Sequence, residues 1–65
     1  MPRYRYELRE AEAVVATGHL ERQDPFEVGE RVDISGRGGR VRAVEPLLGE
    51  DERRLVVELP PPHHA

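Results

Sequence analysis

The sequence contains no cysteine, no tryptophan and only one phenylalanine among its 65 residues. Without cysteine the chain forms neither a disulfide nor a thiolate metal site, and it offers no thiol nucleophile. A domain of this length buries only about 60% of the surface that its unfolded chain exposes, so its stability margin is thin. We therefore expect one small domain that gains stability by self-association, as a homodimer, or by binding a partner protein.

Long apolar runs and lysine are also missing from the chain. No uninterrupted run of hydrophobic residues is longer than four, which excludes a transmembrane helix, and the charged N-terminus is unlike a signal peptide. The sequence therefore predicts a cytoplasmic protein that does not enter membranes. All ten cations are arginines, and a net charge of −3 with interspersed signs creates no overall field that attracts nucleic acid or an anionic membrane.

The chain does contain a two-residue alternation of apolar and polar side chains, which is the period of a half-buried β-strand. Strands are predicted over residues 3–9, 13–20, 31–35, 40–45 and 55–59. A helix over residues 7–16 is the alternative for the second strand, because Leu8, Ala11 and Val15 have helical spacing. The strand is favoured because β-branched residues are frequent there, a glycine follows at position 18 and no N-cap residue precedes the run.

Five short strands with turn signals between them predict an all-β fold. We expect a small five-stranded antiparallel barrel that forms a single domain over residues 1–59. Pro46 lacks a backbone donor and is expected to end the fourth strand. The proline- and histidine-rich residues 60–65 are predicted to be a mobile tail with polyproline II character.

The clearest pattern lies between Phe26 and Val44 and predicts a β-hairpin. An alternating strand leads into a glycine-rich run over residues 36–39, where positive φ angles cost little, and a second strand returns. Residues 29–34 (GERVDI) and 39–41 (GRV) resemble the pattern of SH3-like barrels of the KOW type, which occur in ribosomal and transcription elongation proteins. The resemblance implies an SH3-like barrel and nucleic-acid binding.

Three arginines, Arg37, Arg40 and Arg42, crowd this hairpin. A glycine-rich turn carrying guanidinium groups approaches phosphates closely and binds them with paired hydrogen bonds, which would suit nucleic acid. The alternative is a solvated face on which the arginines pair with nearby acidic residues: Glu30, Asp33 and Glu45. We favour the alternative, because thirteen acidic residues outnumber ten arginines and the few aromatic residues have the spacing of core positions rather than of a base-stacking platform.

Residue types that often carry chemistry have structural explanations in this chain. His19 has only Glu21 as a neighbouring carboxylate on its predicted face, which is too few groups for a metal site or a catalytic pair. Ser35 opens the glycine-rich turn, a position that serine favours, and His63-His64 lies in the predicted tail. We predict no catalytic, cofactor-binding or metal-binding residue and no enzymatic activity, since so small a domain is filled by its own side chains.

The last predicted strand has more apolar residues than one face can use. Leu55, Val57 and Leu59 alternate inward, which leaves Val56 pointing outward. Val15 and Val44 are also predicted on the outer face. These three valines are the candidate protein interface, covered by a second copy or by a partner protein. The predicted function is a non-enzymatic interaction module, with nucleic-acid binding through the arginine hairpin as the alternative.

Overall fold

A computed structural model describes residues 3–46 and 52–60, and these form five β-strands and no helix. The strands are β1 (Arg3–Glu10), β2 (Ala13–Glu21), β3 (Arg31–Ile34), β4 (Arg37–Pro46) and β5 (Glu52–Glu58). The predicted strands are confirmed, with ends that shift by a few residues. Of the predicted tail, residues 61–65, including His63-His64, lie outside the described residues.

The five strands form one curled sheet in the order β2-β1-β5-β4-β3. The all-β, five-stranded prediction is confirmed, but the expectation of a purely antiparallel sheet is wrong. Three neighbouring pairs are antiparallel, whereas β1 and β5 are parallel over seven register pairs from Arg3↔Glu52 to Arg9↔Glu58. Alternation in a sequence specifies which residues share a face, and it carries no information about the direction of the neighbouring strand.

Both hairpins close through two-residue turns with positive φ. The turn Ala11–Glu12 has φ angles of 53° and 80°, and the turn Ser35–Gly36 has φ angles of 54° and 79°. This is the pattern of type I′ turns, whose twist matches that of the flanking strands. Ser35 therefore has the structural role expected of it, but the glycine-rich turn is shorter than predicted, because Gly38 and Gly39 belong to β4.

The hydrophobic core lies on the concave face of the sheet. Its buried members alternate along the strands: Tyr4, Leu8, Val32, Ile34, Val41, Leu55, Val57 and Leu59. Phe26, in the segment between β2 and β3, packs edge-on against Tyr4 with ring centroids 4.8 Å apart. The last strand directs Leu55, Val57 and Leu59 inward as predicted.

The sheet curls into half a barrel and has two outermost strands. β2 and β3 stand at opposite ends of the strand order, and within residues 3–46 and 52–60 they do not pair with each other. A closed barrel would join these strands. Each therefore has one backbone edge that no described strand covers. No helix in this part of the chain is long and apolar enough to cross a bilayer.

Candidate interaction surfaces

The longer of the two sheet edges is β2, which runs for nine residues from Ala13 to Glu21. Its first eight residues carry no formal charge with His19 neutral, and the strand contains no lysine or proline. Lysine and proline are residues by which proteins protect sheet edges from pairing with another chain. A single bulge interrupts β2 near its start, and from Ala16 to Glu21 its pairing with β1 is regular.

The bulge in β2 places two valines at the surface. Leu8 pairs with Ala16 and Arg9 pairs with Val14, so Val15 is the extra residue. Val14 is 48% exposed and Val15 is 45% exposed. The exposure predicted for Val15 is confirmed. Val14 is exposed as well, because the bulge interrupts the alternation of the strand.

A second bulge changes the position of Val44. Val41 pairs with Val57 and Ala43 pairs with Val56, so Arg42 is the extra residue of β4. The alternation of the sequence predicts Ala43 inside and Val44 outside, but beyond the bulge Val44 pairs with Leu55 and packs against the core. The prediction that Val44 lies on the outer face is therefore wrong.

Val56 is on the outer face, as predicted, but it is only 3% exposed. It lies in β5, the central strand, and its lateral partners are Glu7 on β1 and Ala43 on β4. Long side chains on a sheet face cover apolar residues with their aliphatic parts while their charged ends remain near water. The expectation that Val56 is an exposed interface residue is wrong, because neighbouring strands supply the cover.

The side chains around Val56 form an ion-pair network across three strands. Nη2 of Arg9 donates to Oε1 of Glu7 at 2.9 Å, and Nε of Arg54 lies 3.6 Å from Oε2 of the same carboxylate. Nη1 of Arg54 lies 3.7 Å from Oε1 of Glu45. The network links β1, β5 and β4. The Arg9–Glu7 pair is partly buried and is therefore screened less by salt than the exposed end of the network at Glu45.

The hairpin arginines lack the acidic partners that the sequence suggests. Glu30 pairs with Arg22, 2.6 Å from Oε2 to Nη1, and Glu45 pairs with Arg54. The Arg22 hydrogen bond, helped by the Glu27 amide, holds the pKa of Glu30 below its ordinary value. Within the described residues, ion pairs are absent at three hairpin arginines: Arg31, Arg37 and Arg40.

The fourth hairpin arginine, Arg42, is only loosely paired. Its Nη1 lies 4.0 Å from Oε2 of Glu58, and both side chains are about half exposed. The predicted ion pairs of the hairpin arginines with Glu30 and Glu45 are therefore wrong, because those carboxylates pair with Arg22 and Arg54. The hairpin presents guanidinium groups that are available to an anion.

Two of these arginines line an open groove of about 580 Å³. Arg31 and Arg40 are direct register partners on β3 and β4, and Asp33 and Gly38 form the next pair on the same face. The end of β5 and the residues after it close the groove with Glu58, Leu59 and Pro60. The groove is thus lined by charged side chains and, at Gly38, by backbone that carries no side chain.

His19 is exposed on β2, and its Nε2 lies 3.7 Å from Oε2 of Glu52. Glu21, the partner considered from the sequence, pairs instead with Arg3 at 3.4 Å. In residues 3–46 and 52–60, no three histidine or carboxylate side chains converge in a way that could hold a metal ion.

Comparison with protein-family models, with curated proteins and with solved structures gives no match for this chain. Its function is therefore inferred from the geometry of its surfaces.

Proposed function

We propose that the chain is a small, non-enzymatic β-sheet module that self-associates through β2. The observation that carries the proposal is an outermost strand of nine residues with an uncovered backbone edge and an uncharged stretch from Ala13 to Leu20. An edge of this kind is a template for pairing with another strand. The partner that it fits is a second copy of the chain.

The geometry of an antiparallel self-pairing favours a second copy over an unrelated strand. When two β2 strands pair about a two-fold axis, the Glu21 carboxylates go to opposite ends, and no like charges face each other across the new ladder. When the regular stretches from Ala16 to Glu21 face each other, the free backbone groups on one edge find their counterparts on the other copy. Val14 and Val15, about half exposed in the monomer, lie next to the joined edges.

A small core adds a thermodynamic reason for assembly. The chain has few large apolar residues, and its buried set consists mainly of valines and leucines. Domains of this size often gain stability by association, because one core supplies only a few kcal/mol. Joining two sheets would cover exposed edge without enlarging the chain.

The assembly proposal predicts that Val15→Lys converts a dimer into a monomer. Val15 is 45% exposed, so its replacement leaves the core intact, while a lysine on the edge strand opposes pairing. Size-exclusion chromatography with light scattering should give about twice the 7.4 kDa chain mass for the wild type and the chain mass for the variant.

The matched control is Val28→Lys, which makes the same chemical change at a valine that is 71% exposed and lies outside the strands. This control is expected to remain dimeric. A wild type that runs as a monomer at all accessible concentrations would contradict the proposal, and so would a dimer that persists in Val15→Lys.

A second candidate function is nucleic-acid binding by the hairpin, and the absence of ion pairs at Arg31, Arg37 and Arg40 within the described residues favours it. Guanidinium groups without internal partners lose no salt bridge when they bind phosphate. The resemblance of residues 29–34 and 39–41 to KOW-type barrels points the same way.

Nucleic-acid binding predicts a steep salt dependence for a fluorescent single-stranded oligonucleotide. Each phosphate contact contributes about −0.7 to the slope of log K against log salt. Arg40→Ala should weaken binding and reduce the slope by about that amount, and the combined change of Arg37, Arg40 and Arg42 to alanine should abolish binding. Arg53→Ala is the control, since Arg53 is exposed on β5 outside the hairpin. Equal losses for Arg40→Ala and Arg53→Ala, or a flat salt response, would rule out a hairpin site.

A further inference from the structure

We propose that the groove over Gly38 is a binding site for a small oxyanion, a phosphate or carboxylate group on an apolar body, held between Arg31 and Arg40. The site lies on β3 and β4, at the opposite end of the strand order from β2. It does not depend on self-association through β2.

The first support is the direct pairing of two arginines. Arg31 and Arg40 occupy opposite positions in the β3–β4 ladder, where like charges destabilise a sheet. Arg40 has Glu58 as its register partner on β5, but in the described part of the chain neither arginine makes an ion pair. An oxyanion between the two guanidinium groups would convert the repulsion into charge-assisted hydrogen bonds.

The second support is the space beside the arginines. A Cβ atom built on Gly38 meets no atom within 4 Å, so this position opens into the groove. Among the apolar lining residues Pro60 is exposed, whereas Val32 and Leu59 are core residues that are only 9% and 6% exposed. Ligand sites commonly combine an apolar surface with a few placed polar groups, and this groove has both.

The charges of the lining residues indicate how many negative charges the ligand carries. Asp33 and Glu58 also line the groove, so its two arginines are balanced by two carboxylates. A polyanion would meet repulsion from these carboxylates, whereas a single oxyanion can lie between the arginines. The structure therefore favours one phosphate or carboxylate group attached to an apolar body.

The proposal is tested by titrating inorganic phosphate, phenyl phosphate and benzoate while following backbone amide and arginine Nε–H signals by NMR. Phenyl phosphate or benzoate should shift the signals of Arg31, Gly38 and Arg40 saturably and bind more tightly than inorganic phosphate. The tighter of the two aromatic probes identifies phosphate or carboxylate as the preferred group. Arg31→Ala should weaken binding about tenfold or more, because a charge-assisted hydrogen bond is lost.

A second variant tests the apolar part of the site. Gly38→Leu places a side chain into the open groove, and it should reduce phenyl phosphate affinity to the level of inorganic phosphate while leaving inorganic phosphate binding in place. Arg53→Ala controls for non-specific charge. The proposal is overturned if neither aromatic probe produces saturable shifts, if Arg53→Ala weakens binding as much as Arg31→Ala, or if only an oligonucleotide binds.

Discussion

Val56→Asp is expected to unfold the chain or bring it close to unfolding. Val56 is 3% exposed and directly opposite Glu7, so a short carboxylate there would be held away from water and beside a like charge. Arg9 and Arg54 already pair with Glu7 and would have to be shared between two carboxylates, so much of the desolvation penalty of the new charge, several kcal/mol, is not offset. A domain of this length has a total stability of roughly 3–10 kcal/mol at the usual value per residue. The far-ultraviolet circular dichroism spectrum should lose its β-sheet signal, or the urea midpoint should fall sharply.

The matched substitution for this test is Val28→Asp, at a valine that is 71% exposed. It should leave the spectrum and the urea midpoint nearly unchanged. If Val56→Asp folds with wild-type stability, the outer-face network of Glu7, Arg9 and Arg54 does not bury Val56 in solution. The same result would return Val56 to the set of candidate interface residues.

Gly39→Ala is expected to lower the free energy of unfolding by about 1–3 kcal/mol, whereas Gly38→Ala should leave it unchanged or raise it. A Cβ atom on Gly39 would lie 2.8 Å from the carbonyl oxygen of Glu58 and 2.8 Å from Cγ1 of Val57. The oxygen belongs to the backbone of β5, so the sheet itself must move to relieve the contact. The two glycines are adjacent in β4, and neither has a positive φ.

Thermal unfolding at one protein concentration separates the two glycines. Each 1 kcal/mol shifts the melting temperature of a domain this small by about 4–8 °C. Gly39→Ala should therefore melt at least about 4 °C below the wild type, while Gly38→Ala should melt at or above it, because removing glycine from a strand reduces the entropy of the unfolded chain. Equal destabilisation by both changes would contradict the close approach of β4 and β5 at Gly39.

Most of the secondary structure was predictable because it follows from local alternation. The strand at Arg3–Glu10 and the inward positions of Leu55 and Val57 need only a two-residue period and a buried face. The positions of the glycines in the hairpin were less predictable. Positive φ is confined to Ser35–Gly36, and Gly39 is needed for a close approach to β5, a strand that is distant in sequence.

The candidate surfaces were predictable only in part. Val15 was identified from its place on a polar face, and it is exposed. The alternation puts Val44 outside, but a bulge at Arg42 reverses the alternation and turns Val44 inward, and bulges leave no clear mark in a sequence. The alternation places Arg31 across the same sheet from the arginines of β4, but its direct pairing with Arg40 depends on hairpin register, and register depends on the turn that closes the hairpin.

A small all-β domain without cysteine chemistry follows from composition and two-residue periodicity, because both act locally along the chain. Which strands are neighbours depends on the tertiary fold. It placed β2 at an open edge, put β5 at the centre in parallel with β1, and buried Val56 beneath side chains from adjacent strands. Strand order and direction depend on contacts between segments far apart in the chain, and a local sequence pattern does not predict those contacts.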